Sequence, residues 1–442
     1  MKRPCFVLSL AVTGLFLLGT MGCGGTPPTT ESTPSSELAT TTSTTTSATT
    51  ADSAVNSTTT GTTDGTTVGS VTHATRVTTT TTTTKKTTTT VPFKPRAKGE
   101  ELRGVWVSYL DLKEYLAGTT PAQAKKALDT IMDTCVAREL NTVYFHVRSH
   151  SDAWYPSSVF PAATAAAPLL KAGFDPLAYA IEAAHRRGLE LHAWLNPYRV
   201  GENKKNAVVT GSQHLFQKGG SWYYNPASET VRQKLLAGVR ELLNRYAVDG
   251  IHFDDYFYPL GMAAQGEAFE DIPAGMDVTA WRRTQVSALV SAVYGLVHTK
   301  PRCVFGISPA ANLENCLNKL FADVPTWMAK PGYVDYICPQ IYFGFENETL
   351  PYTDTLAQWL ALPRQENVEL HVGLALYKVG LKEDTHAGTG RQEWANGSDI
   401  LARQVAALRQ QKANGFVLFR YNGLLGGTPA LDKELAALDA LF

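Results

Sequence analysis

Two adjacent carboxylates, Asp254 and Asp255, close the short run Gly250-Ile251-His252-Phe253 and lead into Tyr256, Phe257, Tyr258 and Pro259. Other apolar runs end in the same polar manner. His146, Arg148, Ser149, His150, Ser151 and Asp152 finish one, while Trp194, Asn196, Tyr198 and Arg199 finish another. Gln340, Tyr342 and Glu346 finish a third. Paired carboxyl groups cleave glycosidic bonds, one as acid and one as nucleophile or base, while guanidinium and amide groups bond sugar hydroxyls and flat aromatic faces stack on sugar rings. These residue types therefore point to a carbohydrate ligand and hydrolytic chemistry. Plainer roles exist for each residue alone. Arg148 and Asp152 would equally serve as a buried pair fixing a loop, and Asp254 with Asp255 as a helix cap.

The elements that must position these residues alternate regularly. Strand-like runs occur at 104–109, 142–148, 190–196, 250–256, 304–309, 336–342, 369–377 and 415–421. Helical patterns occur between them at 121–138, 176–187, 228–246, 279–298, 354–362 and 398–412, with 431–441 last. The fifth helix, over 317–328, is interrupted by Pro325. Strand then helix, eight times over, is the pattern of an α/β (β/α)8 TIM barrel, whose chemistry sits where strands run into their following loops. No GxGxxG follows an early strand, which removes the main support for a doubly wound dinucleotide fold. Side chains alternate along a strand, so apolar Ile251 and Phe253 pack on helices while His252 and Asp254 face the lumen. The same period groups Tyr144 with His146 and Arg148, His192 with Trp194 and Asn196, and Cys338 with Gln340 and Tyr342.

Composition divides the chain of 442 residues into three parts. Residues 1–23 carry Lys2 and Arg3 before an apolar run from Phe6 to Leu18, the pattern of a secretory signal. Thr20-Met21-Gly22-Cys23 resembles a bacterial lipobox, so Cys23 is expected to carry a lipid and anchor the exported protein in the membrane facing the wall; cleavage nearby and secretion is the alternative. Residues 24–98 read as a disordered linker, with 32 Thr in the 65 positions from 26 to 90. Such a coil spans about 45 to 50 Å on average. Residues 99–442 form the catalytic domain. Lys plus Arg and Asp plus Glu are 40 each, which leaves no net field for nucleic acid. Cys135, Cys303, Cys316 and Cys338 show no CxxC spacing and read as buried thiols, with one extracellular disulfide as the alternative. No cofactor is called for, and nothing in the sequence fixes an oligomeric state.

RGVWVSYLD, VYFHVRSHSDAWYPSS, LHAWLNPYR, VDGIHFDDYFYP and VDYICPQIYFGFENE, in this order from about Leu102 onward, resemble the bacterial glycosyl-hydrolase-10-like family. That resemblance implies an exported TIM-barrel glycosidase acting on cell-wall glycan. Members with an assigned activity include a division-site lipoprotein that cleaves peptidoglycan strands stripped of stem peptides. DGIHFD is also similar to the fourth-strand block of the alpha-amylase superfamily, whose final Asp is the nucleophile, which implies that role for Asp254. Relatives carry Gln where His146 stands, Gly where Ser151 stands, and an SPFG-like block where this chain reads ISPAAN.

The expected catalytic set is then Asp254, Asp255 as its orienting neighbour, and Glu346 as proton donor. Glu346 lies four residues beyond Tyr342, with Phe343, Phe345 and Tyr352 expected to desolvate it. Glu314 and Asp152 are its competitors. Substrate binding falls to His146, Arg148, Asp152, His192, Trp194, Asn196, Tyr198, Arg199, His252, Tyr256, Gln340 and Tyr342. Three alternatives remain: hydrolysis of an exopolysaccharide or alpha-glucan, a carbohydrate-binding barrel without turnover, and a metal hydrolase in which His146, His192 and His252 join Asp254 on zinc. The last lacks an HxH or HExxH motif, and no metal ligands are assigned.

Overall fold

The computed structural model describes residues 93–442. The signal segment, Cys23 and the Thr tract lie outside the described residues. In chain order the strands are β1 (Leu102–Val107), β2 (Thr142–Arg148), β3 (Glu190–Leu195), β4 (Arg199–Gly201), β5 (Leu215–Lys218), β6 (Ser221–Tyr224), β7 (Gly250–Phe253), β8 (Val304–Ile307), β9 (Tyr336–Ile337), β10 (Glu369–Leu374) and β11 (Gly415–Leu418). Eight of them close a parallel barrel in the order β1-β11-β10-β9-β8-β7-β3-β2. The remaining three form a small antiparallel sheet, β4-β6-β5, in the connection from β3 to β7. This sheet is absent from the strand-helix alternation because its strands are too short to show a period.

The helices form where caps and periodicity agree. Ser108 ends β1 and caps Tyr109–Leu116 through Asp111, so the first strand is shorter than its apolar run. Asp175 caps Pro176–His185, Ser228 caps Glu229–Arg245 and Asp277 caps Val278–Val297, each with its side chain on first-turn amides. Pro325 does not break a long fifth helix. It starts one: Asp323 caps Val324–Ala329 with Pro325 in its first turn, after the separate short helix Leu313–Asn318. All four cysteines of the domain are buried free thiols.

Large lumenal side chains require glycine opposite them. A Cβ at Gly306 would lie 2.1 Å from the Tyr336 ring, and one at Gly250 would lie 2.6 Å from the His192 ring. The resulting plug contains a directed chain of hydrogen bonds. Trp106 Nε1–H donates to His252 Nε2 at 3.1 Å, which puts the His252 proton on Nδ1, 2.9 Å from Tyr336 Oη. The Tyr336 hydroxyl is then free to donate to His192 Nδ1 at 3.1 Å. Burial holds His252 well below the usual imidazole range, in keeping with this neutral tautomer.

Below the plug, residues counted with the linker by composition lie against the barrel. Phe93 stacks on His185 with centroids 3.9 Å apart. The Arg96 amide donates to Glu190 Oε1 at 2.8 Å, and its guanidinium meets Glu369 Oε2 at 2.7 Å.

Candidate active site

β7 delivers the carboxyl pair. Ile251 and Phe253 enter the core between sheet and helices, while His252 and Asp254 turn inward, as period two requires. Asp254 is 3% exposed. Its Oδ2 accepts from Trp194 Nε1–H at 3.3 Å and its Oδ1 from the Tyr256 amide at 3.1 Å. Burial, followed by the adjacent Asp255 charge, pushes Asp254 well above the usual carboxylate range, and the two bonded donors oppose this. Burial pushes Asp255 up to about 6, moderated by Gln340 and Arg199. The two neighbouring carboxyls therefore titrate as a pair, and burial favours holding one proton between them.

Trp194 is itself braced. The His146 ring stacks on it with centroids 3.5 Å apart and planes 14° from parallel. The Tyr109 amide donates to His146 Nδ1 at 3.3 Å, so Nε2 carries the proton and donates to Asn196 Oδ1 at 2.9 Å. Burial keeps this imidazole neutral, with a pKa well below 6.5. Gln340 donates to the Ser308 carbonyl at 2.8 Å. Tyr342 packs against Phe419 and Tyr377, centroids 5.8 and 5.7 Å away, and feels both Asp254 and Asp255. Arg199 lies over the Tyr256 ring at 4.7 Å.

The structure brings most expected residues together and reassigns several. His192 and His252 belong to the plug inside the barrel, and Tyr198 is fully buried in the apolar core. Arg148 does not pair with Asp152; its guanidinium bonds the carbonyls of His150, Asn196 and Pro197 at 3.1, 2.6 and 2.9 Å, fixing the loops after β2 and β3. Asp152 is half-buried, its Oδ1 lacks a hydrogen-bond partner, and burial raises its pKa.

The surroundings expected for Glu346 are not there. Glu346 is exposed: its amide donates to Glu393 Oε2 at 2.9 Å, while Phe345 and Tyr352 pack on each other at 5.2 Å and the Tyr352 hydroxyl donates to the Gln404 carbonyl. Glu314 is exposed as well. Sequence reasoning passed over Tyr109, Phe419 and Tyr377, the last 51% exposed beyond β10. Their signal was the one used elsewhere, an aromatic at the end of an apolar run. Among the described residues no cluster of three or more His, Cys, Asp or Glu is disposed to hold a metal ion. The nitrogens of His146 and His252 are engaged in the bonds given above.

A closed (β/α)8 barrel that holds a desolvated carboxyl pair at the C-terminal end of a strand, ringed by indole, phenol, amide and guanidinium groups, is the architecture of a carbohydrate-active hydrolase. Comparison with known proteins agrees. The family model described as "Glycosyl hydrolase-like 10" matches residues 101–388. The chain belongs to this family and is a glycosidase. It is 30% identical over 395 residues to the glycosyl hydrolase YngK of Bacillus subtilis, covering 80% of this chain and 75% of that protein. It is 30% identical over 336 residues to the glycosyl hydrolase DigH of Escherichia coli K12, covering 65% and 76%. The glycoside hydrolase domain of PgaB from Bordetella bronchiseptica has the same fold, with TM-score 0.51 at 15% identity over 77% of this chain and 99% of that one.

Proposed function

We propose that this glycosidase is exported, anchored through Cys23, and cleaves the glycan strands of the cell wall. The observation that carries the reading is the carboxyl pair at the end of β7, both members raised by burial and Asp254 accepting two hydrogen bonds. Asp254 faces the positive charge that develops at the anomeric carbon in the oxocarbenium-like transition state. Asp255 gives its proton to the leaving glycosidic oxygen and recovers one from the water that completes hydrolysis. The acid role moves to Asp255 from Glu346 because Glu346 is exposed and lacks the apolar ring expected around it, whereas burial raises Asp255 toward neutrality, as a general acid requires. Trp194 and the neutral His146 behind it hold Asp254 in register. Tyr342, Phe419 and exposed Tyr377 offer apolar faces to sugar rings.

The cell-wall substrate is supported by the likeness of the family blocks, and by a Thr-rich segment long enough to lift a domain from a membrane into the wall layer. The test incubates the protein with purified peptidoglycan, glycan strands freed of stem peptides, and soluble alpha-glucans, with mass spectrometry of the products. A ladder of disaccharide steps from wall glycan alone is the expected result. Products from alpha-glucan alone would refute the reading.

A further inference from the structure

Three arginines stand around the mouth of the barrel, and two are spent. Arg148 bonds three backbone carbonyls, and Arg420 pairs with Asp111. Arg199 is different. Its place is fixed from both sides, because the Tyr198 amide donates to the Tyr256 carbonyl at 3.3 Å and the Tyr224 amide donates to the Tyr198 carbonyl at 2.9 Å. The antiparallel pairing of Arg199 with Tyr223 then starts the β4-β6-β5 sheet. Half-buried, with its guanidinium on the Tyr256 face, Arg199 makes no side-chain hydrogen bond or ion pair among the described residues. It influences Asp254 and Asp255 through space without being bonded to either.

A guanidinium carries five N–H donors in a planar fork that matches a carboxylate. A half-buried fork held on the Tyr256 face beside the carboxyl pair, and bonded to no protein group among the described residues, is suited to an anion. The opposite rim has the opposite character. In ring order β10 and β11 stand across the barrel from β3 and β7, and they carry Tyr377 and Phe419, which offer stacking faces and no charge. Lys204, over the Trp222 ring at 5.3 Å, extends the cationic side.

We propose that Arg199 forms a subsite for a carboxylate borne by the substrate glycan, so that an anionic sugar occupies the β3 side of the mouth and an uncharged one the β10–β11 side. This rests on the glycan-cleaving role proposed for Asp254 and Asp255, and adds which kind of sugar lies beside them. In a wall glycan the group is a sugar carboxylate left free rather than joined in an amide.

The test compares the full-length chain with Arg199→Gln and Arg199→Lys on one wall-glycan fragment in two forms, with free carboxylates and with the same carboxylates capped as methylamides. A charge-assisted pair predicts kcat/KM about 10- to 100-fold higher on the free acid, carried mainly by KM. Arg199→Gln should lose that factor selectively, so that the ratio of kcat/KM between the acid and the methylamide falls to about one. Arg199→Lys should fall between. Equal losses on both forms would make Arg199 a charge that tunes Asp254, and would overturn the subsite.

Calorimetry on an Asp254→Asn background, using both fragments and an oligo-hexuronate, reads binding without turnover. Arg199-dependent binding of a carboxylated glycan, with no wall fragment cleaved by the parent, would refute the wall-glycan reading and leave the subsite standing. Cleavage of both forms at equal rates would do the reverse.

Discussion

Arg96 ties the segment ahead of β1 to the barrel floor, and removing it should cost measurable stability. Its guanidinium and its amide reach two carboxylates that enter the barrel floor from different strands, Glu369 on β10 and Glu190 on β3. His371 and Arg96 together hold Glu369 at about 2 against the desolvation that would raise it from 4.5. A depression of that size corresponds to about 3 kcal/mol at neutral pH. Arg96 is one of two partners, so its share is about 1.5 kcal/mol, and the lost bond to Glu190 adds about 1 kcal/mol. For a domain of this size, about 2.5 kcal/mol lowers Tm by about 3 to 4 °C.

The measurement is calorimetric melting of three chains: one lacking residues 24–92, one lacking 24–98, and Arg96→Met. The first should melt with the parent, because the Thr tract contributes reach rather than packing. The other two should melt lower. Glu369 has a depressed pKa, so its contribution is fully present above about 4.5 and fades as pH falls toward 2. The gap between the first chain and the other two should therefore narrow over that window. Equal melting of all three at pH 7, or a gap unchanged down to pH 2.5, would refute the reasoning.

Asp255 titrates near 6 and is assigned the acid, so kcat/KM should fall above that pH as its proton is lost, and Asp255→Asn should remove most turnover together with that limb of the profile. Asp254→Asn should abolish turnover with Tm little changed; near-normal rates would discard the pair. Gly306→Ala should lower stability by about 2 to 3 kcal/mol in denaturant melts, because the added Cβ meets the Tyr336 ring at 2.1 Å. A neutral result would mean that the plug can shift. Cys23→Ser should move the protein from membrane to medium on fractionation, and unchanged membrane association would remove the lipid anchor.

Much of this protein was legible before its coordinates. All eight barrel strands follow from apolar runs of period two, and that period alone turned Asp254 inward, because neighbouring side chains on a strand must point to opposite faces. What a side chain touches after a strand ends is another matter. Tyr198 and Arg199 are adjacent, yet one is sealed in the core and the other is unspent at the mouth, because the β4-β6-β5 sheet folds over the first and presents the second. Glu346 and Asp255 are both acids on loops after barrel strands. Only tertiary packing decides that one meets water while the other is desolvated, because burial depends on atoms brought from distant parts of the chain. The same holds for Gly306, whose missing side chain has meaning only once Tyr336 fills the lumen beside it.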